Sequence, residues 1–331
     1  MVILDLVRAV ATLSAGQTAQ VAATAHDLDV IRQWCERTGN TLVRFEFDRS
    51  GRGTVAVRRG RVPDPQLALG PDRVPGARLW LYTNLHCNLR CDYCCVASSP
   101  RAPRRELGAE RIARLVAEAA DWGASQVFLT GGEPFLLPDI DRIVRDCTSC
   151  LPTVLLTNGM LFRGPRLAAL QAMPRDRFAL QISLDSASPQ LHDTHRGRGS
   201  WARAVSGIEL ALAAGFRVRV AATIAEARPD TIAALSTFLD NLGIPRDHQL
   251  IRPVARQGAA AHGVLISRES LVPEITVTAD GIYWHPVAAA DERLLVRREI
   301  EPLRPALDQV YRLFSDQWAH TQSKVALFPC A

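Results

Sequence analysis

The sequence has no apolar run approaching the ~20 residues of a membrane span. It opens on Met1-Val2-Ile3-Leu4, but Asp5 and Arg8 follow too early for the apolar segment of a secretory signal. It also lacks a strong charge of one sign. The 39 Lys+Arg face 34 Asp+Glu for a net +5, and almost all the basic residues are arginine. So mild a balance gives no reason to expect nucleic acid or a membrane surface as partner. The eight cysteines are not spaced as a disulfide framework, because four of them crowd into one loop. That distribution points to a reducing cytoplasm. What the chain does have is apolar content: 47% of 331 residues is ample for a core and for two or three domains.

The crowded loop is Cys87-Asn88-Leu89-Arg90-Cys91-Asp92-Tyr93-Cys94, a C-x3-C-x2-C spacing. Three thiolates in one short loop can hold three irons of a [4Fe–4S] cube and leave the fourth open to an outside ligand. A zinc knot with Cys95 as the fourth thiolate is the competing reading. Zinc sites usually pair knuckles from separate segments, however, and adjacent cysteines do not readily share one tetrahedron. Cys95 reads instead as a small packed residue. The loop follows a β-prone run from Arg78 to Asn84 and precedes a helical pattern from Leu107 to Trp122. It is therefore a β-to-α loop, where α/β barrels build active sites.

With Tyr93 in the aromatic place, this segment resembles the signature of the radical S-adenosylmethionine (radical SAM) enzymes. A second strand, Val127 to Thr130, ends in Gly131-Gly132-Glu133-Pro134, which is similar to the family's GGEP motif. The resemblance implies one [4Fe–4S] cluster on Cys87, Cys91 and Cys94. It also implies SAM contacts from Tyr93 and from Gly131, Gly132, Glu133 and Pro134, with the Glu133 carboxylate near the SAM ammonium. Ser183-Leu184-Asp185 and Arg196 look like a further family signature, in which Ser183 and Asp185 point toward SAM and Arg196 pairs its carboxylate. Thr157 and Asn158, at a third strand end, are polar groups where the pocket is expected. His192 reads as a loop-ordering residue. The catalytic residues themselves are unknown.

Strand and helix alternate from residue 78 to about 262: a helix from Leu137 to Asp146, a strand at 153–156, a helix at 164–173, a strand at 178–184, a helix at 201–214, a strand at 217–224, a helix at 229–241 and a strand at 249–252. That alternation means a parallel sheet with right-handed crossovers, and six such units fit the family's partial (β/α)6 TIM-type barrel. Cys147 and Cys150 close the second helix, on the face away from the chemistry, and read as packing or loop residues. Arg101, Arg104 and Arg105 read as a solvated cluster, with an anionic substrate as the sharper alternative.

Residues 1–62 read as a small α/β domain: a helix from Leu4 to Leu13 with Leu4, Val7, Val10 and Ala11 on its face, a strand at 19–24, a helix after Asp27, and two strands around Ser50-Gly51. The order, and the run Asp29 to Asn40 with Trp34-Cys35, resembles TusA/SirA-like sulfur carriers. The Cys-Pro motif that holds their persulfide does not occur in residues 1–62, so docking or stability is the expected role, with a start lying upstream and carrying the motif as the alternative; Cys35 reads as core. Residues 63–77, rich in Pro and Gly, are a linker. Residues 263–331 read as a short α+β extension: a hairpin turning at Asp280-Gly281 and a helix from Leu303 to Thr321. It resembles a SPASM or twitch extension. His285-Pro286 stands where that family has a cysteine, and Cys330 is alone, so no auxiliary cluster is expected.

The resemblance implies reductive cleavage of SAM to a 5′-deoxyadenosyl radical that abstracts hydrogen from substrate. The substrate is a ribosomal peptide or a small sulfur-related metabolite, and the electron donor is flavodoxin- or ferredoxin-like. An iron–sulfur, SAM-binding protein with a docking or regulatory role and no turnover is the alternative.

Overall fold

A computed structural model describes residues 2–11, 13, 16–60, 69–225 and 228–321. The chain divides into two compact units. One takes the described residues up to Val74 and those from Arg312; the other runs from Pro75 to Tyr311.

In the first unit, α1 (Val2–Ala11) and α2 (Leu28–Thr38) accompany a three-stranded antiparallel sheet of β1 (Thr18–Thr24), β2 (Thr41–Phe47) and β3 (Arg52–Arg58), ordered β1-β3-β2. The core is Leu6, Val10, Ala23, Ile31, Cys35, Val55 and Val57. The buried face of α1 is Leu6 and Val10, whereas Leu4 is 61% exposed. The expected face was therefore rotated, and the helix begins at Val2. Apolar residues at adjacent positions let two stripes share Val10, and tertiary packing chose the other one. Cys35, four residues after Ile31, lies in this core. Burial raises its thiol to about 11, which makes it a poor nucleophile.

The second unit is built on a nine-stranded sheet. Six parallel strands run in chain order: β4 (Arg78–Tyr82), β5 (Gln126–Thr130), β6 (Thr153–Thr157), β7 (Phe178–Ser183), β8 (Val218–Ile224) and β9 (Gln249–Pro253). They are joined by α3 (Ala109–Trp122), α4 (Ile140–Cys150), α5 (Pro165–Ala172), α6 (Pro189–Arg196), α7 (Ser200–Ala213) and α8 (Pro229–Asn241). The helices bury apolar residues at helical spacing, as with Ile112, Leu115, Val116 and Ala119 on α3. The architecture is thus α/β with a mostly parallel sheet. Tyr82, Thr130, Thr157, Ser183, Thr223 and Arg252, one from each parallel strand, line a single cavity, so the sheet curves around it.

Three features go beyond the expectations. First, strands among the described residues after 263 join the sheet. β10 (Ile275–Thr278) pairs in parallel with β4, and β11 (Gly281–Tyr283) and β12 (Leu295–Arg297) continue the sheet antiparallel. All four residues of β10 are buried, so both faces of the sheet are covered at this strand. The expected hairpin at Asp280-Gly281 is present, and the terminal helix is α9 (Arg304–Thr321). Second, α6 occupies what read as a loop. Its buried side chains are His192 and Arg196, four residues apart, a polar stripe that an apolar pattern cannot reveal. Third, α4 continues to Cys150. Cys147 is fully buried in line with Ile143 and Val144, and Cys150 is exposed, so the two thiols occupy different environments. Cys330 lies outside the described residues. No helix among the described residues is long and apolar enough to cross a membrane.

Candidate active site

The cysteine loop leaves β4 and lies directly on the β5 terminus. The amide of Thr83 donates to Thr130 O (2.8 Å), that of Gly132 to Asn84 O (3.0 Å) and that of Glu133 to His86 O (3.0 Å). A Cβ on Gly131, whose φ is 155°, would stand 2.5 Å from Asn84 O; one on Gly132 would stand 2.0 Å from His86 O. The two glycines are therefore required by the close approach of the cysteine loop. They also line the cavity, about 170 Å³ in volume, into which the loop faces.

Cys87, Cys91, Cys94 and Cys95 all line that cavity. The Leu89 amide donates to Cys87 Sγ and the Ser98 amide to Cys94 Sγ, each at 3.3 Å. Such donors stabilise a sulfur carrying negative charge. Burial, then the nearby Glu133 charge, raises the Cys87 thiol to about 12; burial also raises Cys91. A bound iron would take these sulfurs as thiolates, because a coordinated thiol is deprotonated outright. Among the described residues, no three His, Cys, Asp or Glu side chains are grouped as ligands of a single ion. Cys87, Cys91 and Cys94, three thiols of one loop that face one cavity, would each be available to a different iron of a cluster. Cys95 Sγ lies 3.8 Å from the Tyr82 hydroxyl, which itself donates to Pro286 O at 2.8 Å.

The Glu133 carboxylate does not line the cavity. It is fully buried and accepts from the Phe135 amide (3.0 Å), the Thr157 hydroxyl (2.7 Å) and the Asn158 amide (2.8 Å). Burial nonetheless raises its pKa above the ordinary carboxylate range. It ties the β5 loop to the end of β6, where Thr157 and Asn158 do line the cavity; Asn158 Nδ2 donates to Asn88 Oδ1 of the cysteine loop (2.8 Å). Pro134 opens a buried turn behind the wall. Replacing Glu133 by alanine strands buried donors at about 1–3 kcal/mol each. Glu133→Ala should therefore lose stability along with roughly ten- to hundredfold in SAM affinity. Melting curves and SAM titration check this, and an affinity loss at unchanged stability would mean that the carboxylate meets SAM directly.

Ser183 and Arg196 line the cavity, but Asp185 does not. Arg196 donates from Nε to Asp185 Oδ2 (2.6 Å) and from Nη2 to Oδ1 (3.1 Å). Asp185 also accepts from the Thr223 amide (2.9 Å) and from the Tyr93 hydroxyl. Burial opposes ionisation of both partners, yet their mutual attraction holds the Asp185 carboxyl below its ordinary range and the Arg196 guanidinium above its own. Tyr93, packed 5.5 Å beneath the Arg196 guanidinium, is thereby held both by Asp185, which follows β7, and by α6. A second strap joins the same loop to α6: His195 Nδ1 lies 2.9 Å from Asp92 Oδ2. His192 accepts the Asp185 amide on Nδ1 (3.1 Å), and burial lowers its pKa to about 4. It orders the loop as a neutral ring. Arg101 and Arg104 are exposed, and Arg105 pairs with Asp280 (2.7 Å).

The far wall went unforeseen. Arg252 Nε donates to Thr223 Oγ1 (3.0 Å), and Trp80, Pro286 and Val287 complete that side. A polar residue at the end of the sixth predicted strand was the available signal for Arg252.

Residues 82–225 match the family model of the Radical SAM superfamily. This stretch is a radical SAM domain. The "AdoMet-dependent heme synthase" of Methanosarcina barkeri is 32% identical over 164 residues, covering 49% of this chain and 46% of that protein. The "Antilisterial bacteriocin subtilosin biosynthesis protein AlbA" of Bacillus subtilis is 33% identical, over 47% of this chain and 35% of its own length. The "Mycofactocin maturase MftC" of Mycobacterium ulcerans is 29% identical, over 51% and 46%. The chain spans about half or less of the length of these relatives. The solved structure of native anSMEcpe with bound AdoMet shares the fold at a TM-score of 0.55 and 12% identity, covering 72% of this chain and 82% of that one. The cysteine loop, both glycines and the Asp185–Arg196 pair all lie within the radical SAM domain.

Proposed function

We propose that the chain is a radical SAM enzyme acting on a peptide. The observation that carries the reading is that three thiols of one loop face a single cavity whose opposite walls come from polar strand ends. Peptide substrates are favoured by the printed functions of subtilosin biosynthesis, mycofactocin maturation and PqqA peptide cyclisation among the relatives. A sulfur-related metabolite has no comparable support, nor does a role without turnover.

Cys87, Cys91 and Cys94 would hold three irons of one [4Fe–4S] cluster. The chemistry such a cluster supplies is reductive cleavage of SAM to a 5′-deoxyadenosyl radical that abstracts hydrogen from substrate. The chain's own part is to bind and to shield. The Gly131 and Gly132 backbone, Thr157, Asn158 and Ser183 offer hydrogen-bonding groups to the amino-acid portion of SAM. Arg196, held on one edge by Asp185, presents its charge toward the carboxylate. Trp80, Val287 and Pro286 line the rest and exclude water that would divert a reactive intermediate.

The curved sheet suits a partial (β/α)6 barrel extended by β10 to β12. The strands after residue 263 fit a twitch-like extension without a cluster of its own. The first unit fits a TusA-like fold used for docking or stability. A cytoplasmic setting and a flavodoxin- or ferredoxin-like donor go with this chemistry.

Anaerobically reconstituted, reduced protein should convert SAM to 5′-deoxyadenosine and carry about four irons per chain. Failure to cleave SAM at full iron loading would overturn the enzyme reading. Iron near twice that level would make Cys147 and Cys150 ligands.

A further inference from the structure

A second cavity, about 280 Å³, lies outside the cluster site, between the β6–α5 loop and the outer face of α7. Its lining mixes two kinds of group. Met160, Phe162, Ala202 and Leu210 are apolar; Arg163 and Arg203 bring a guanidinium each from two different elements. Among the described residues, no acidic one lines it. Both arginines are exposed, and neither side chain has a hydrogen-bond or ion-pair partner among the described residues. Elsewhere on the helical surface arginines meet carboxylates, as Arg142 does with Glu110 and Arg145 with Asp141. Two like charges over one apolar floor repel each other unless an anion sits between them.

The floor is rigid. A Cβ on Gly207 would stand 2.1 Å from the Gly159 carbonyl oxygen, so α7 lies directly against the loop after β6. That loop also serves the cluster site. Asn158 lines the SAM cavity, and Gly159, the next residue, lines the cleft. Consecutive Cα atoms are ~3.8 Å apart, which makes the two cavities neighbours on the strand-end side of the sheet.

We infer that this cleft docks a short acidic peptide segment, the part of the substrate flanking the residue presented to the SAM cavity. The inference rests on the peptide reading above and adds the chemistry of recognition. Carboxylates pair with Arg163 and Arg203, where guanidinium forks make charge-assisted bonds. An apolar side chain of the same segment covers Met160 and Leu210. A small inorganic anion would use the charges and leave the apolar floor uncovered, which is why a peptide fits better.

The test uses the reconstituted full chain and a fluorescein-labelled peptide of alternating Glu and Leu, with a Lys/Leu peptide as its charge-reversed counterpart. Fluorescence anisotropy needs no SAM turnover, so the result is independent of whether the enzyme reading holds. The Glu/Leu peptide should bind saturably, with Kd in roughly the ten- to hundred-micromolar range, and weaken as salt rises. Joint Arg163→Glu and Arg203→Glu substitution should weaken it at least tenfold, and both sites are exposed enough for the variant to fold. Conservative Arg163→Lys with Arg203→Lys should retain most of the binding. Absence of binding to the wild-type chain, equal binding of the charge-reversed variant, equal binding of the Lys/Leu peptide, or full displacement by an equal concentration of inorganic sulfate would each overturn the proposal.

Discussion

Alanine at Cys87, Cys91 or Cys94 is expected to abolish SAM cleavage, each substitution alone, while Cys95→Ala keeps its cluster. Each of the three thiolates would hold a different iron, so no remaining ligand can substitute for a missing one, and an iron left without its cysteine is open to loss or to the wrong ligand. Cys95 is the demanding control because it lines the same cavity. What separates it is its surroundings. Cys94 Sγ accepts the Ser98 amide at 3.3 Å, whereas Cys95 Sγ lies beside the Tyr82 hydroxyl at 3.8 Å. Iron per chain and 5′-deoxyadenosine formation should fall together in the first three variants. Cys95→Ala should retain about four irons. Cluster loss in Cys95→Ala alongside an intact cluster in Cys94→Ala would shift the ligand trio by one residue.

That the cysteines of one loop face a common cavity was legible because the information is local: cysteine spacing along eight residues says which side chains can face one point, whatever the rest of the chain does. The two glycines were legible too, although for an incomplete reason. They were expected to admit a ligand, and what the structure shows them admitting is the backbone of Asn84 and His86. Long-range pairings were not legible. β10 joins β4, and Trp80 Nε1 donates to Glu274 Oε2 at 2.5 Å, across 194 residues. Nothing in the local pattern of Ile275 to Thr278 chooses that neighbour. The Asp185–Arg196 pair was missed for a related reason. Both residues were picked out as ligand contacts, but that they face each other depends on α6, a helix with no apolar stripe to announce it. Glu133 likewise reads as a ligand group until the donors around it are placed.

The other large effect is expected at Arg196. Arg196 and Asp185 are 8% and 7% exposed and joined by two hydrogen bonds. Removing one partner of a buried pair leaves an uncompensated charge, which costs about 3–5 kcal/mol; removing both avoids most of that. Arg196→Ala should therefore be far less stable than wild type, and Arg196→Ala combined with Asp185→Ala should recover part of the loss, a coupling that a double-mutant cycle in urea measures. The pH dependence gives an independent sign. In the wild-type chain the Asp185 carboxyl is held low by Arg196, so its stabilising contribution is present above the ordinary carboxylate pKa and lost as pH falls through the lowered value. Without Arg196, burial dominates and raises that pKa, so protonation relieves the stranded charge and acid helps the variant. The stability gap between wild type and Arg196→Ala should then narrow as pH falls from neutral toward the carboxylate range in the iron-free chain. A gap that stays constant with pH, with additive single substitutions, would mean that Arg196 contributes packing alone. SAM affinity provides the functional counterpart. Tyr93 is anchored through Asp185, so Asp185→Asn, which keeps the volume and loses the charge, should weaken SAM binding less than Arg196→Ala does. The reverse order would make Asp185 the group that meets SAM and Arg196 its support.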